Sequence, residues 1–449
     1  MNELAPEAFD TFGSLLRHLR RRARLTQREL GIAVGYSEAH VARLESNQRR
    51  PNLSIISTHF AEALQLQELP TWSARLIALA DSKFAQANPQ AEDQPSTPTN
   101  LRAQLTEFVG RQDALSHIKE LSVGARLLTL TGVGGVGKSR LAAQGAAEML
   151  PNYSGGVWMC ALSALEAEQT IAPTIATALG LTSDGDKEGN VDGDNDASLD
   201  LIKTYLHERH ALLVLDGCEH SVATCAHLAV TLLQICPRLT IFATSREPLN
   251  VSGEVTWLVP PLGDREAERL FLSRARTVRP DFQITDVNLF KQVCNRCEGL
   301  PLAIELAASR LRVLSLEQIA ERLSDPFSLL TDGSRLALPK HQSLRALMDW
   351  SYNLLTEPER ELLCRVSTLS NSWALEEAEA LFDETSEQTN IKPTDVLGLL
   401  SQLVKKSLIF TEEHESKTQY RMLALVRLYA QERVSQSTVA ARLQPAPNI

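Results

Sequence analysis

The spacing of apolar residues divides the chain into a helical beginning, an alternating middle and a helical end. Phe12, Leu15, Leu16 and Leu19 recur at helical spacing near the start. In the middle of the chain, short apolar runs of strand length alternate with helical patterns, which predicts a parallel sheet with helices on both faces. Beyond residue 261 the spacing is again mainly helical. The pattern therefore predicts a multidomain protein with an all-α part, an α/β part and a mainly helical remainder.

Four apolar runs in the middle of the chain are the candidate strands. They cover residues 127–131, 156–160, 211–216 and 239–244. Directly after the first run, residues 132–139 match the G-x-x-x-x-G-K-[ST] pattern of a phosphate-binding loop. A strand before the loop and a helical pattern after it are the context that this motif requires. The match therefore predicts a nucleotide site at the end of the first strand.

The residue types of this loop suit a phosphate chain and a magnesium ion. Backbone N–H groups of glycines can curl around phosphate oxygens, and the helix beginning near Lys138 points its positive end at the same anion. Lys138 adds a point charge, and the Ser139 hydroxyl can ligate Mg²⁺. The third run ends in Asp216, a carboxylate that a strand would deliver to the magnesium ion. Gly217 follows instead of a second acid, and the nearest acid is Glu219, so we do not expect efficient hydrolysis.

The beginning of the chain is a basic helical unit on an acidic protein. The 449 residues have a formal net charge of −10. Residues 11–60 nevertheless hold nine arginines, three glutamates and no lysine or aspartate, a local balance of +6. Thr26 and Glu29 form a capping box before a second helix, Gly35 supplies a turn, and Ser37 caps a third helix. A compact basic unit of this kind is typical of contact with phosphates.

The stretch from Thr26 to Asn47 resembles the helix-turn-helix of the phage-repressor-like (XRE/Cro) family. The resemblance implies that residues 1–84 bind double-stranded DNA through its major groove, as a dimer or larger assembly because one unit makes few contacts. The residues that it assigns to bases or phosphates are Gln27, Ser37, Glu38, Ala39, His40, Arg43, Arg49 and Arg50. The alternative is a unit of the same fold that only binds another protein.

Residues 85–100 predict a flexible linker. They are rich in Gln, Asn, Pro, Ser and Thr, and Pro89, Pro95 and Pro98 rule out a helix. The further boundaries that we predict are 101–260 for a nucleotide domain, 261–338 for a helical lid, 339–435 for a third unit and 436–449 for a tail.

Three more motifs, in register with the phosphate loop, resemble signal-transduction ATPases with numerous domains (the STAND class) of the NB-ARC type. They are Val109-Gly110-Arg111, Arg246 beyond the fourth strand, and Gly299-Leu300-Pro301. The resemblance implies that the first motif lies against adenine and ribose, that Arg246 senses the γ-phosphate, and that Pro301 packs on adenine.

The resemblance also implies ATP or ADP with Mg²⁺ as cofactors. The nucleotide-binding residues would be Val109, Gly110, Arg111, Gly132, Gly134, Gly135, Val136, Gly137, Lys138, Ser139, Arg140 and Pro301. The magnesium ligands would be Ser139 and Asp216, and the catalytic residues Lys138, Asp216 and Arg246.

The third unit resembles the winged helix that closes such modules in bacterial regulators. The implied fold class is an all-α helix-turn-helix, then an α/β P-loop NTPase, then a helical lid and a winged helix. Relatives in plants and animals carry Met-His-Asp near the end of this unit, whereas the aligned stretch 421–427 has neither His nor Asp. Relatives then continue into sensing repeats, and this sequence shows none. We therefore expect a fragment, or sensing through the winged helix or a separate sensor protein.

The rest of the sequence argues against a membrane segment, a disulfide framework and zinc or calcium sites. No apolar run is long enough to span a bilayer, and the first ten residues contain no apolar signal core, so we expect a cytoplasmic protein without membrane partners. Seven scattered cysteines do not predict a disulfide framework, and we interpret Cys294 and Cys297 as packed thiols rather than zinc ligands. Residues 182–196, rich in Asp and Gly, indicate a disordered insertion rather than a calcium loop.

These observations favour a transcription regulator switched by ATP and ADP. Nucleotide would control self-association, so that several DNA-binding units act together, and the protein would be at most a slow ATPase. The alternative is a STAND defence or signalling ATPase whose helix-turn-helix is a docking or autoregulatory module. A third hypothesis, an ATPase motor, is disfavoured by the glycine after Asp216.

Overall fold

The computed structural model divides the chain into two compact units, Met1–Ser96 and Thr97–Ile449. The described residues are 6, 9, 11–23, 25–34, 38–47, 56, 60, 63–64, 66, 69–82, 97–102, 104, 106–163, 171–181, 195–331, 342–382, 391–414 and 417–443. The insertion predicted at 182–196 lies outside them except for its last two residues, which begin a helix.

Four described helices form the first unit. They are α1 (Phe12–Arg22), α2 (Gln27–Ala33), α3 (Glu38–Glu45) and α4 (Pro70–Ser82). The capping box predicted before α2 is present, because the Glu29 backbone N–H donates to Thr26 Oγ1 at 3.1 Å and the Thr26 N–H donates to Glu29 Oε2 at 2.7 Å. The predicted apolar face of α1 is buried and forms the core together with residues of the other helices.

The centre of the second unit is a five-stranded parallel sheet. Its strands are β1 (Leu127–Thr131), β2 (Gly156–Ala161), β3 (Ala211–Asp216), β4 (Thr240–Thr244) and β5 (Glu254–Leu258), in the spatial order β2-β3-β4-β1-β5. The helices of this region are α5 (Gln112–Gly124), α6 (Lys138–Glu148), α7 (Ile171–Ala178), α8 (Asn195–Leu206) and α9 (Val222–Ile235). Two separate apolar clusters draw on alternate residues of the strands, so both faces of the sheet are covered.

The sequence predicted four of these strands and missed β5. The residues of β1, β3 and β4 are buried throughout, which is why they appear as continuous apolar runs. β5 is an edge strand with partly exposed residues, including Glu254 at its start. Because polar residues alternate with apolar ones in β5, this strand does not appear as an apolar run in the sequence.

The lid consists of helices that follow the sheet. They are α10 (Asp264–Val278), α11 (Val287–Arg296), α12 (Pro301–Ser309), α13 (Leu316–Arg322) and α14 (Pro326–Leu329). As predicted, Pro301 opens a helix at its first position. Cys294 and Cys297 are buried, and burial raises the pKa of the Cys294 thiol to about 12 and that of Cys297 still further.

The last part of the chain combines helices with a small antiparallel sheet. The helices are α15 (Leu344–Asn353), α16 (Glu357–Val366), α17 (Leu375–Glu379), α18 (Pro393–Lys405) and α19 (Ala424–Leu443). The strands are β6 (Ser372–Trp373), β7 (Phe410–His414) and β8 (Lys417–Arg421), in the order β6-β8-β7. The hairpin of β7 and β8 is the wing that the sequence predicted after α18. Helices packed with this three-stranded sheet confirm the winged-helix prediction.

The last residues of the predicted linker 85–100 lie against the edge of the large sheet. The backbone N–H of Val157 donates to Pro98 O at 3.0 Å, and Thr99 forms an isolated parallel bridge with Val157. The Asn100 side chain behaves like one more backbone unit, because it accepts from Met159 N at 2.7 Å and donates to Met159 O at 2.9 Å. Residues 97–100 are therefore attached to β2, and the division between the two units falls just before them.

Among the helices that the structure describes, none combines the length and apolar character needed to cross a bilayer.

Candidate nucleotide site and nucleic-acid interface

The phosphate loop joins the end of β1 to the start of α6. Gly135 and Gly137 have φ angles of +78° and +94°, which residues with a side chain rarely adopt. The N-cap of α6 is Gly137, which has no side chain that could bind the first amides of the helix. These amides are therefore open to an anion. Lys138 Nζ donates to Gly132 O at 2.7 Å and to Val133 O at 3.3 Å, which holds the ammonium group over the loop. The sequence motif thus has the loop geometry that it predicts.

Asp216 lies at the same edge of the sheet, two strands away from the loop. Thr244 of β4 is in register with Leu130 of β1 on one side and with Asp216 of β3 on the other. Thr244 Oγ1 donates to Asp216 Oδ1 at 2.6 Å and accepts from Gly217 N at 2.9 Å. This threonine fixes the orientation of the carboxylate, a role that the sequence analysis missed.

Arg111 is buried beside the phosphate loop. Its Nη2 donates to Val136 O at 2.6 Å and to Pro260 O at 3.1 Å, and its backbone N–H donates to the Glu266 carboxylate. Burial lowers the pKa of Arg111 to about 10, while the charge of Glu266 acts in the opposite direction. Its Nη1 is buried and finds no hydrogen-bond partner in the part of the chain that the structure describes. A buried guanidinium N–H in this state costs free energy until an acceptor reaches it.

Arg111 and Pro301 flank the same glycine of the loop. A Cβ atom on Gly137 would lie 3.7 Å from Pro301 Cγ and 3.9 Å from Arg111 Nη1. The structure thereby brings together three of the residues that the resemblance assigned to the nucleotide. Of the other two residues in the Val-Gly-Arg motif, Val109 packs against the apolar core and Gly110 adopts φ +74° beside Glu266.

Arg140 has a different environment from the one that the sequence predicted. Its Nη2 donates to the backbone oxygens of Thr106 and Glu107 at 2.7 and 2.8 Å, and its Nη1 lies 3.4 Å from Glu305 Oε1. Arg274 of α10 shares Glu305 at 2.9 Å and also donates to Glu107 O. In this arrangement the Arg140 side chain ties the segment before α5 to the lid and is directed at protein groups.

Arg246, the predicted sensor, is buried against Gly134 of the loop. Its guanidinium lies 3.9 Å from the centroid of the Trp350 ring, and no described residue accepts a hydrogen bond from its Nη2. A Cβ on Gly134 would lie 2.8 Å from that Nη2. Burial lowers the pKa of Arg246 to about 10 against the opposing charge of Glu219, so the side chain stays cationic at neutral pH.

Helix α15 of the winged-helix domain covers this side of the loop. A Cβ on Gly134 would lie 2.7 Å from Leu347 Cδ1, and one on Gly135 would lie 3.0 Å from Leu347 Cδ2. Trp350 comes from the same helix, and Ser407 Oγ after α18 donates to Arg246 O at 2.9 Å. Leu347, Trp350 and Ser407 carry no motif, so the sequence could not identify them.

Two buried guanidinium nitrogens test whether a nucleotide fits. Arg111 Nη1 and Arg246 Nη2 have no hydrogen-bond partner among the described residues, and both lie near glycines of the phosphate loop. Phosphate oxygens are the acceptors that such donors prefer. The site therefore fits a nucleotide with Lys138 at the loop, and Ser139 and Asp216 would be the residues to hold a Mg²⁺ ion.

The candidate nucleic-acid interface lies in the first unit. Arg17, Arg21, Arg22, Arg28 and Arg43 are exposed. Of the predicted contacts, Ser37, Arg49 and Arg50 lie outside the described residues, while Glu38, Ala39 and His40 form the first turn of α3, where the resemblance places the groove-facing residues.

Gln27, the first residue of α2, is hydrogen-bonded to α3. Its Nε2 donates to Glu45 Oε2 at 2.8 Å, and Arg20 Nε donates to Glu45 Oε1 at 2.5 Å. Gln27 thus also belongs to a buried cluster that joins the first three helices.

Three family models match the chain. A helix-turn-helix domain model matches residues 11–68, an NB-ARC domain model residues 111–257, and a winged helix-turn-helix domain model residues 355–435. These are the three parts that the sequence and the fold distinguish.

Similar proteins agree with these matches. An uncharacterized protein of Mycobacterium tuberculosis is 37% identical over 346 residues, which cover 76% of this chain and 85% of the relative. A second protein of that organism, named provisionally as an HTH-type transcriptional regulator, is 40% identical over 315 residues, covering 70% of this chain and 34% of the relative. A Walker-type ATPase of Pyrococcus abyssi shares the fold alone, with 15% identity, a TM-score of 0.51, and coverage of 74% of this chain and 99% of that one. The chain therefore belongs to the NB-ARC P-loop proteins, with a helix-turn-helix domain before the NB-ARC domain and a winged helix-turn-helix domain after it.

Proposed function

We propose that this protein is a transcription regulator whose self-association on DNA is controlled by the nucleotide in its phosphate loop. With ADP the winged-helix domain stays against the loop and the protein does not assemble. With ATP and Mg²⁺ the domain is released, copies assemble, and several N-terminal units bind DNA together. The two nucleotides act only through their different affinities for the two states.

The observation that carries the proposal is the position of α15. Leu347 packs on Gly134 and Gly135, and Trp350 holds the guanidinium of Arg246. A γ-phosphate that reached Arg246 would compete with the indole ring for the same cation. The Arg246 side chain can therefore bind either the γ-phosphate or Trp350 of α15. A nucleotide-controlled switch needs such a competition.

Each residue of the site has a separate task in this proposal. The loop amides and Lys138 bind the β- and γ-phosphates, while Arg111 adds charge beside Gly137 and Pro301 packs nearby. A bound Mg²⁺ would neutralise phosphate charge, and Ser139 and Asp216 would hold it. Thr244 keeps the Asp216 carboxylate oriented.

Gly217 supports a switch rather than a motor. The residue has a φ of +87°, and a Cβ there would lie 2.5 Å from Ser163 Cβ. A second carboxylate directly after Asp216 does not fit this backbone. Without that base to orient water, we expect slow hydrolysis, so that a bound ATP persists long enough to report a state.

On the DNA side, the proposal relies on the exposed arginines of the first unit. They supply phosphate contacts that position the unit, and the first turn of α3 supplies contacts with bases. One such unit has few contacts, so assembly raises affinity by joining several units on one duplex.

The test is light scattering on the full chain with ADP, with ATP and Mg²⁺, and then with a duplex library added. The expected result is growth in mass with ATP and retention of a discrete set of sequences. Lys138→Ala should remove nucleotide binding and growth, whereas Lys119→Ala, which removes a surface ion pair with Glu148, should leave both unchanged.

Two outcomes would contradict the proposal. Equal mass and equal DNA affinity with both nucleotides would remove the switch. Growth in mass without selection of any DNA sequence would favour a signalling ATPase whose N-terminal unit docks a partner.

A further inference from the structure

The turn between α11 and α12 contacts the phosphate loop at one end and the winged-helix domain at the other. At the loop end, Leu302 N donates to Gly135 O at 3.3 Å, and Pro301 Cγ lies near Gly137. At the other end lies the Glu298 carboxylate. Three residues, 299–301, therefore separate Leu302, which contacts the phosphate loop, from Glu298, which contacts the winged-helix domain.

Glu298 caps the first turn of α19. Its Oε1 accepts from Ala424 N at 2.8 Å and its Oε2 accepts from Leu425 N at 2.8 Å. Both carboxylate oxygens are thus engaged by backbone amides of a helix that belongs to another domain. A carboxylate at this position also interacts favourably with the positive end of the helix.

Helix α19 has no cap of its own. The residue before it is Leu423, which has no side-chain acceptor, and its first turn contains no acidic residue. The first amides of a helix have no acceptor within the helix, and of the two that Glu298 binds, one belongs to the exposed Ala424 and the other to the buried Leu425. The lid therefore supplies the acceptor that the sequence of the winged-helix domain lacks.

The turn that presents Glu298 is fixed by its backbone. Glu298 and Gly299 have φ angles of +50° and +65°. Leu262 N donates to Gly299 O at 2.8 Å, and a Cβ on Gly299 would lie 2.2 Å from Leu262 O. Because the turn cannot bend freely, a displacement of Pro301 or Leu302 at the phosphate loop moves Glu298 as well.

We propose that Glu298 is a second link, besides α15, through which the phosphate loop holds or releases the winged-helix domain. It acts by capping α19, which begins within the stretch 421–427 that contains neither His nor Asp. At this point the winged-helix domain is therefore held through the lid, and not by a side chain that touches the nucleotide. The effect on nucleotide release rests on the proposed function above, whereas the capping role does not.

The experiment compares three variants of the full chain. Glu298→Ala removes both acceptors, and Glu298→Gln replaces one of them with a donor. Glu377→Gln is the matched control, because Glu377 accepts from Ala374 N at 2.7 Å entirely within the winged-helix domain. Hydrogen exchange at the amides of residues 424–428 and the release rate of a fluorescent ADP analogue are measured for each.

Both Glu298 variants should speed exchange at 424–428 by about tenfold and accelerate release of the ADP analogue by a similar factor. Glu377→Gln should change exchange only around α17 and leave release unchanged. Slow exchange at 424–428 in Glu298→Ala would overturn the capping role. Fast exchange with unchanged release would overturn the coupling.

The proposed function fails separately from this inference. If the wild-type chain keeps one mass with ADP and with ATP, the switch is wrong, yet faster exchange at 424–428 in Glu298→Ala would still establish the cap. If the wild type assembles with ATP and Glu298→Ala behaves like Glu377→Gln, the switch stands and the role of Glu298 is refuted.

Discussion

Glu45 shows how one buried charge holds the first unit together. It accepts from Arg20 Nε at 2.5 Å, from Arg20 Nη2 at 3.1 Å and from Gln27 Nε2 at 2.8 Å. Arg17 Nε lies 3.4 Å away at the edge of the cluster. These donors come from α1 and α2, whereas Glu45 ends α3, so a single carboxylate fixes the relative positions of three helices. The geometry of the predicted DNA-reading helix depends on it.

Glu45→Ala should destabilise the first unit by about 3 kcal/mol, because it leaves the nearly buried Arg20 guanidinium without its partner. Amide exchange in α1 measures this within the full chain. Glu29→Gln, which alters an exposed capping carboxylate of the same unit, should have a much smaller effect. Equal effects of the two changes would exclude a special role for the buried pair.

The same cluster predicts how stability depends on pH. Burial alone would raise the pKa of Glu45, but hydrogen bonds from Arg20 and Gln27 and the arginine charges lower it below 4.5. A carboxyl whose pKa is lower in the folded state stabilises the fold above its unfolded pKa and loses that contribution in more acidic solution. The first unit should therefore lose stability as the pH falls below 4.5, and Glu45→Gln should flatten that loss in an acid unfolding series.

At the scale of single elements, α15 lies against the phosphate loop, and we expect it to restrict access to the site. Trp350→Ala should speed release of a bound nucleotide by about tenfold, because it removes a desolvated cation–π contact of about 1 to 2 kcal/mol. Trp350→Phe should have a smaller effect, since it keeps an aromatic face. Arg345→Ala is the control on the same helix, because Arg345 pairs with Glu432 away from the loop. Equal release from all variants would show that α15 does not restrict the site.

The sequence predicted elements whose cause is local and missed contacts whose cause is not. The loop 132–139 was found because its glycines and Lys138 recur in a fixed spacing. β5 was missed since an edge strand mixes polar and apolar positions. Leu347 and Trp350 look like ordinary core residues of an amphipathic helix, and only folding places them beside Gly134. The contacts of Arg140 were also missed, because its acceptors lie on Thr106, Glu107 and Glu305, far away in the sequence.

For the whole molecule, the attachment of residues 97–100 to β2 sets where the second unit begins. β2 is an edge strand, and an uncovered edge is free to pair with other chains. Pro98 and Asn100 satisfy backbone groups of Val157 and Met159 at that edge. The segment that leads to the first unit therefore also protects the sheet.

Asn100→Ala should speed amide exchange at Met159, because that N–H loses its only assigned acceptor among the described residues. The expected change corresponds to about 1 to 2 kcal/mol of local stability. Thr99→Ala, which removes only a bond to Leu101 N, should leave Met159 unchanged. Unchanged exchange in Asn100→Ala would mean that the segment is not anchored by this side chain.

Gly217 has a consequence for how the protein can evolve. A single codon change to aspartate or glutamate would place a side chain where Ser163 already stands, on a backbone that disfavours it. Acquiring fast turnover would thus require simultaneous changes in two segments of the chain, each harmful or useless alone. If hydrolysis is slow, as the proposed function requires, selection acting one step at a time would preserve that property.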